Sequence, residues 1–485
     1  MKRILGMIGL ALAILALVVL INTLNLGTTT QALVDDVTVD LSRDDIPERL
    51  AAALRIKTIS HQDTADNDYA ALLALHDYMD EEFPLVRQQL NKQVVNEYSL
   101  LYRWQGSDPE LKPVILMSHM DVVPVIEGTQ DQWEHPPFAG TIDAGFIWGR
   151  GSMDDKFSVF CILEAIEHLL MTGFQPERTY YLAFGHDEET GGAEGANKIA
   201  ELLKQQNVTA LYAIDEGGFI LDGMFSKPIA MINISEKGFL SLQLSVKGSG
   251  GHSSAPAAET AVGILSHAVA NVSDNKFPID TSTLSNMGSA LAGELPFYQK
   301  AIAANLWLLK PLLTAFAELE PGLNAMIRTT TAPTMLSGSP KDNVLPILAT
   351  AVVNHRIMPG ETIETTIAFV TDVIDDDRVS IEILGTSSNP SDISSSTGPA
   401  FKTISKSIYQ IARNDPVIMP GMLPAGTDTK HYRHVADDTY RFVYSTSQLG
   451  DTSRIHGTNE RVSIDSYLDS IRFFIQLIRN SDEIR

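Results

Sequence analysis

Apolar and polar positions alternate along the chain with three different periods, and each period predicts a different kind of element. The first is an apolar run from Ile4 to Ile21 that no charge interrupts, preceded by Lys2 and Arg3. At ~1.5 Å per residue it is long enough to cross a bilayer. The basic residues on its near side place the N-terminus in the cytoplasm and everything after Asn22 outside. The nearest small-x-small cleavage site, Thr30-Gln31-Ala32, stands well beyond the run. An uncleaved anchor is therefore preferred to a cleaved signal that would release a secreted protein. Residues 1–27 are expected to form this anchor or signal, and residues 28–44 a polar tether, with the globular part periplasmic or extracellular.

From Ile46 onward, segments of helical period alternate with short apolar runs, the pattern of βαβ units around a mixed or parallel sheet. Val114 to Met117, Thr179 to Phe184 and Ala210 to Ile214 read as buried strands, and Phe157 to Met171 as the clearest helix between them. Around Pro228 the period becomes two, as in Leu240-Ser-Leu-Gln-Leu-Ser-Val-Lys247, which predicts a sheet with one solvated face. A helix at Thr260 to Asn271, a strand at Ala349 to Ile357, a helix at Thr362 to Ile374 and a strand at Val379 to Leu384 complete a small α+β domain. An apolar, helix-rich stretch of about 282–328 interrupts it, an insertion that packs on the small domain, a partner or the membrane surface. The Ser, Pro and Asn-rich segment Gly385 to Gly398 reads as an interdomain connection. Helices at Ala400 to Ala412 and Ser463 to Arg479 return the chain to the first domain. The predicted organisation is a first domain built from 45–228 and 391–485, with a second, 229–390, inserted into it.

Composition narrows the function classes. A chain of 485 residues with 44% hydrophobic and 20% charged content can bury a large globular core. Its formal net charge of -24 argues against a nucleic-acid partner, because binding that backbone depends on basic patches. The lone cysteine, Cys161, cannot form an internal disulfide and sits in the apolar helix, so it reads as a core residue and not a nucleophile.

Candidate chemistry gathers at the ends of the predicted strands, where open α/β sheets bind ligands. Asp187-Glu188-Glu189 follows directly on Thr179 to Phe184. Carboxylates so crowded must take up protons, find cations or bind metal, unless they form a solvated turn. His119-x-Asp121 follows Val114 to Met117, and in that arrangement an imidazole can offer one nitrogen to a metal while a carboxylate orients the other. Gly149-Arg-Gly-Ser-Met-Asp154-Asp155-Lys156 opens the helix, where either acid can serve as an ordinary N-cap. Asp215-Glu216-Gly-Gly follows Ala210 to Ile214, and His456-Gly lies in a polar loop near the C-terminus. Each cluster has a structural use on its own. Together they form a mixed nitrogen and oxygen donor set suited to hydrolytic zinc.

With these motifs in this order, the chain resembles the di-zinc exopeptidase family that contains aminoacylase, glutamate carboxypeptidase and the Gly-Xaa carboxypeptidases. Within it, Asp215-Glu-Gly-Gly and Trp133-Glu-His-Pro-Pro-Phe138 look like the carboxypeptidase S and secreted N-acyl-amino-acid hydrolase subgroup. The resemblance spans roughly residues 45–480. It implies a zinc-exopeptidase catalytic domain with a mixed central sheet flanked by helices, and an inserted ferredoxin-like lid that commonly mediates homodimers. It also implies two Zn2+ per chain, with Co2+ or Mn2+ as substitutes, one ion held by His119 and Asp215, the other by Glu189 and His456, and Asp154 bridging both. Some relatives carry Glu in place of the aspartate, so Glu216 stands beside Asp215 as an alternative. Glu188 matches the general base and Asp121 the residue that orients His119, which leaves Asp187 to support the turn. His252, in Gly250-Gly-His-Ser-Ser254, matches a lid histidine that contacts the reacting carbonyl. Asn343, Arg356, Gly426 and Thr427 match substrate-binding positions.

The expected reaction is hydrolysis of the amide bond of a C-terminal or N-acylated amino acid. Glu188 would take the proton of an attacking water that two metals acidify, and Arg356 would grip the free carboxylate in a fork. The substrate is then a small peptide or an N-acyl amino acid, and a long acyl chain suits the apolar insertion and the anchor. A catalytically silent binding module is the remote alternative, opposed by the complete ligand set. A serine hydrolase fits poorly, because Gly251-His-Ser-Ser-Ala255 lacks the closing glycine of a nucleophile elbow.

Overall fold

The computed structural model describes residues 2–27, 34–41, 45–223, 225–448 and 450–485. Much of the expected tether, and the Thr30-Gln31-Ala32 site, lie outside the described residues. Within residues 34–41, the Val37 N–H donates to the Gln410 carbonyl at 2.9 Å and Val39 is buried. The chain divides into two compact units, one of 29–234, 394–421 and 427–485, the other of 1–28, 235–393 and 422–426.

The larger unit is organised by a mixed sheet whose central strands run in the order Ser99–Trp104, Tyr180–Gly185, Val114–His119, Ala210–Asp215 and Ala436–Arg441. The last four of these are mutually parallel, and Ser99–Trp104 is antiparallel to Tyr180–Gly185. Every residue of Val114–His119 is buried, because helices cover both faces. Val114 and Leu116 pack into the core that includes Phe157, Phe160 and Phe474, whereas Ile115 and Met117 pack with Ile199 and Leu203 of the helix Ala196–Gln205. This two-sided burial explains why these strands read as continuous apolar runs and not as alternating ones. The helix Lys156–Met171 begins at Asp155, whose side chain accepts the Ser158 N–H as N-cap, and Cys161 lies buried inside it. A closing helix, Ile464–Asp482, belongs to the same core.

The smaller unit contains a four-stranded antiparallel sheet in the order Thr330–Ser337, Leu348–Ile357, Gly238–Lys247 and Val379–Ile383. With the helices Ala261–Asp274 and Ile363–Ile374, the chain order is β-α-β-β-α-β. Burial alternates along Gly238–Lys247, with Leu240, Leu242, Leu244 and Val246 inward, as the period of two predicts. The strand Thr330–Ser337 has no counterpart among the sequence expectations. Pro333 sits inside it beside a register shift, and a proline is tolerated there because the strand lies at the sheet edge. The insertion consists of the helices Ser282–Ala290, Phe297–Ala304, Leu306–Ala317 and Pro321–Ile327. The apolar helix Lys2–Asn25 belongs to this unit and is long and apolar enough to cross a membrane.

Candidate metal centre

The parallel strands deliver His119 and Asp215 at their C-terminal ends, and the turns that follow carry the remaining candidates. The His119 Nδ1–H donates to the Asp121 carbonyl at 3.0 Å, with Asp121 Oδ1 3.3 Å away. That leaves Nε2 turned the other way, 2.9 Å from Asp154 Oδ1 and 3.4 Å from Glu216 Oε1. On the second oxygen of the same aspartate, His456 Nε2 lies 2.9 Å from Asp154 Oδ2 and 3.1 Å from Glu189 Oε2. Two donor groups result, His119–Asp154–Glu216 and Asp154–Glu189–His456, and within each the ligand atoms lie within 4.8 Å of one another.

The acid that joins Asp154 beside His119 Nε2 is Glu216, and Asp215, expected in that group, is not among its gathered atoms. Side chains alternate along Ala210–Asp215, so Asp215 shares the face of Ala213, the face packed against Ile199 and Tyr432. Its charge is felt there by Tyr432 and Asp428. Glu216 is the first residue past the strand and turns to the His119 side.

Electrostatics follow from the crowding. Burial alone would raise the Asp154 carboxyl, but its bonds to His119 and His456 win and hold it far below the usual carboxylate range. Asp154 and Glu189 in turn push the His456 imidazole up to about 10. Burial drives Glu216 well above the carboxylate range, and the Asp154 charge adds to it. Glu189 Oε1 is buried with no hydrogen-bond partner among the described residues. His456 adopts φ +59°, a left-handed conformation that a non-glycine residue keeps only where its surroundings hold it, as at ligand sites. Imidazole nitrogens and carboxylate oxygens around one shared aspartate, with an orphaned buried oxygen beside them, fit a pair of divalent cations.

Residues 115–480 match peptidase family M20/M25/M40. The chain belongs to this family. It is 40% identical over 446 residues to the N-fatty-acyl-amino acid synthase/hydrolase PM20D1 of Mus musculus, a match covering 90% of this chain and 88% of that protein. Carboxypeptidase S of Saccharomyces cerevisiae is 32% identical over 484 residues, covering 90% of this chain and 84% of that protein. In fold, the chain is similar to the M20 metallo-carboxypeptidase Sso-CP2 from Sulfolobus solfataricus, with a TM-score of 0.68 at 16% identity, covering 91% of this chain and 100% of that one. The dipeptidase Dug1p from Saccharomyces cerevisiae gives 0.62 at 16% identity, covering 91% and 96%. The protein is thus an M20 metallohydrolase, and M20 enzymes depend on metal, typically zinc.

In this M20 chain, Glu188 opens the short 3-10 turn Glu188–Thr190 next to the donor groups. Loss of hydration drives its carboxyl well above the normal range; His119 opposes this, and Asp428 and Glu189 add to it. Asp187 holds the turn, accepting the N–H groups of Glu194 and Gly195 at 2.8 Å each. The remaining candidates fall elsewhere. His252 pairs with Val344 in the two-residue strands Gly251–His252 and Val344–Leu345, which brings it next to Asn343 in the smaller unit. There His252 is exposed and its Nδ1 accepts from Ser254 Oγ at 2.8 Å. Arg356 lies over the Phe239 ring at 4.8 Å, its cross-strand partner. Gly426 belongs to the smaller unit and Thr427, which caps the turn Asp428–His431, to the larger.

The sequence gives no role to Glu460, and it places Asp428 only within Gly426-Thr427-Asp428, which matches a loop near the substrate carboxylate. Glu460 Oε1 accepts the backbone N–H groups of Gly151 and Met153 at 2.9 Å and of Asp154 at 3.3 Å, while Oε2 takes the buried Arg150 guanidinium. Thus it fixes the loop that aims Asp154. Both Asp428 oxygens are buried without a hydrogen-bond partner among the described residues. A side chain at Gly192 would place its Cβ 2.0 Å from Asp428 Oδ1, so glycine is required there, at φ +69°. The signals in the sequence are an acid four residues after His456, the Gly426-Thr427-Asp428 segment and the Gly191-Gly192 pair after the acidic turn.

Proposed function

We propose that this enzyme hydrolyses the amide bond joining an acyl group to an amino acid, at a centre of two zinc ions. The observation that carries this reading is the sharing of Asp154 between the two donor groups. One ion would be held by His119, Asp154 and Glu216, the other by Asp154, Glu189 and His456. When bound, such cations acidify water toward neutrality and polarise an amide carbonyl. Glu188, whose proton affinity is raised by burial and neighbouring acids, takes up the proton that the attacking water releases. It then returns that proton to the nitrogen as the carbon–nitrogen bond breaks. Asp121 keeps the His119 Nδ1–H engaged so that Nε2 presents its lone pair.

The smaller unit is read as a ferredoxin-like lid of about 229–390, inserted between the catalytic segments 45–228 and 391–485; its β-α-β-β-α-β order supports this. In that reading His252 would contact the reacting carbonyl, with Asn343, Arg356, Gly426 and Thr427 binding substrate. The lid would also pair two copies. Its outer strand Thr330–Ser337, with Met335 and Leu336 exposed, offers an edge suited to a second copy. The helix Lys2–Asn25 would act as a signal anchor with the enzyme outside the cytoplasm.

A long acyl chain is preferred on the substrate over a second amino acid, given the 40% identity to the fatty-acyl hydrolase of Mus musculus. Zinc-loaded protein incubated with mixed Gly-Xaa dipeptides and long-chain acyl amino acids, with products read by mass spectrometry, tests both levels. Turnover of dipeptides alone would overturn the acyl preference, and no turnover of either class would overturn the function.

A further inference from the structure

The helical insertion carries apolar surface that its own unit does not cover. Phe297, Tyr298, Ile302, Trp307, Leu312 and Phe316 are exposed, Trp307 by 56% and Leu312 by 67% of their surface. Six large apolar side chains within one short stretch exceed the scatter of single hydrophobic residues that ordinary surfaces carry. The stretch also differs in charge from the rest of the molecule. Between Leu295 and Ala317 it holds Lys300 and Lys310 and no acid, in a chain of net charge -24.

What covers this surface is indicated by the contact it makes with the N-terminal helix. Asn305, only 2% exposed, joins the helices Phe297–Ala304 and Leu306–Ala317. Its side-chain oxygen accepts from Asn22 Nδ2 at 3.0 Å, and its Nδ2 lies 3.3 Å from the Val19 carbonyl and 3.4 Å from Thr23 Oγ1. Thr23 is completely buried, although nearly all of Lys2–Asn25 is exposed. These three partners mark the outer end of the apolar run, which at ~1.5 Å per residue matches the ~30 Å hydrocarbon layer when Ile4 lies at the inner boundary. A clamp at Val19, Asn22 and Thr23 therefore holds Asn305 at the outer interface, and the two helices that carry the exposed side chains start from that level.

We propose that the inserted helices 297–317 form a membrane-contacting platform, seated in the headgroup and upper acyl region of the same bilayer that Lys2–Asn25 spans. Apolar and aromatic side chains with lysines and no acids are the composition of helices that lie in that zone. A second copy of the chain could also cover apolar surface, but it would not account for the clamp to the spanning helix. The inference rests on the anchor reading given above. It adds a function for the insertion: the enzyme meets the phase in which long-chain acyl substrates concentrate.

Trp307 provides the test. The other three tryptophans, Trp104, Trp133 and Trp148, are buried in the larger unit. Full-length protein is reconstituted into phosphatidylcholine vesicles whose acyl chains carry bromine at shallow or deep positions, and tryptophan emission is compared with unbrominated vesicles. Quenching is expected, stronger with shallow bromine, and lost in Trp307→Phe. The pair Leu312→Glu and Phe316→Glu should reduce quenching while turnover of a short soluble substrate stays unchanged. Protein that floats with the vesicles while Trp307 stays unquenched would overturn the platform and leave the anchor standing. Cross-linking between copies through position 307 without quenching would assign the surface to a second chain instead. Protein that fails to float would overturn anchor and platform together.

Discussion

Asp121 Oδ1 accepts the backbone N–H of Glu188 at 3.2 Å. The same carboxylate takes the Glu189 N–H at 3.2 Å and the Ser60 hydroxyl at 2.7 Å, and its residue receives the His119 ring. One buried acid thus orients a candidate ligand and holds the turn that carries both the proposed base, Glu188, and another candidate ligand, Glu189. Asp121→Ala is expected to lower turnover and metal affinity together by about 10–100-fold, the usual cost of losing such a partner. Steady-state kinetics with competitive metal titration check this, and a loss confined to KM would refute the double role.

In the proposed mechanism Glu188 has a separate task from its neighbours. Glu188→Gln keeps the size of the side chain but removes the group that accepts a proton, so turnover should fall by roughly 10²–10⁴-fold with metal content unchanged. Near-normal hydrolysis by this variant would remove Glu188 from the mechanism.

Glu216 and Asp215 are adjacent and chemically alike, yet only Glu216 lies within reach of His119. Glu216→Ala should leave protein with one tightly held metal per chain, whereas Asp215→Asn should retain two, as read by elemental analysis after gel filtration. Chelation of the parent protein should abolish activity and lower its melting temperature, because the clustered carboxylates would regain their mutual repulsion. The opposite metal contents for the two variants would restore Asp215 as the ligand.

Glu460 and Arg150 form a buried pair, each at most 1% exposed. Glu460→Ala strands the guanidinium and frees the N–H groups of Gly151, Met153 and Asp154. The expected loss is about 3–5 kcal/mol. It should appear as a fall in melting temperature on the order of 10 °C. Glu460→Gln, which still accepts hydrogen bonds, should lose less. Equal melting temperatures for Glu460→Ala and the parent protein would show that the loop is held by other contacts.

His76 supplies a pH dependence away from the metal centre. Burial, with Lys92 nearby, lowers its imidazole from 6.5 to about 4, and the neutral ring donates Nε2–H to the Tyr98 carbonyl at 2.9 Å. The unfolded chain takes up this proton first as pH falls. Stability is therefore complete above about pH 6.5 and is lost progressively toward pH 4, by up to ~3 kcal/mol. Urea unfolding midpoints of parent and His76→Gln should converge between pH 7 and pH 4, and parallel curves would exclude this source of acid sensitivity.

Much of the architecture is legible in the sequence, because two-sided burial leaves a distinctive mark. Val114 to Met117, Thr179 to Phe184 and Ala210 to Ile214 were uninterrupted apolar runs, and all three lie in the central parallel strands. Leu240 to Lys247 alternated and became the strand with one buried face. Thr330–Ser337 was missed because Pro333 argues against a strand unless the strand is known to lie at an edge. The donor residues were legible as types at strand ends. Their grouping came from the family resemblance and not from the residues themselves, since a helix cap and a metal ligand look alike in Asp154-Asp155. In the structure Asp155 caps the helix and Asp154 faces two histidines.

By itself, then, the order of residues determined the chemistry available: imidazoles and carboxylates after apolar strands, an apolar helix ahead of them, and an α+β insertion. Local pattern suffices for these because periodicity and strand-end placement are properties of neighbouring residues. Only the tertiary structure decided that Glu216 and not Asp215 turns to His119, that Glu460 holds the Asp154 loop from some three hundred residues away in sequence, and that Asn305 clamps the end of the N-terminal helix. Each of those outcomes depends on which face of a strand or loop meets a distant segment, and that is set by packing.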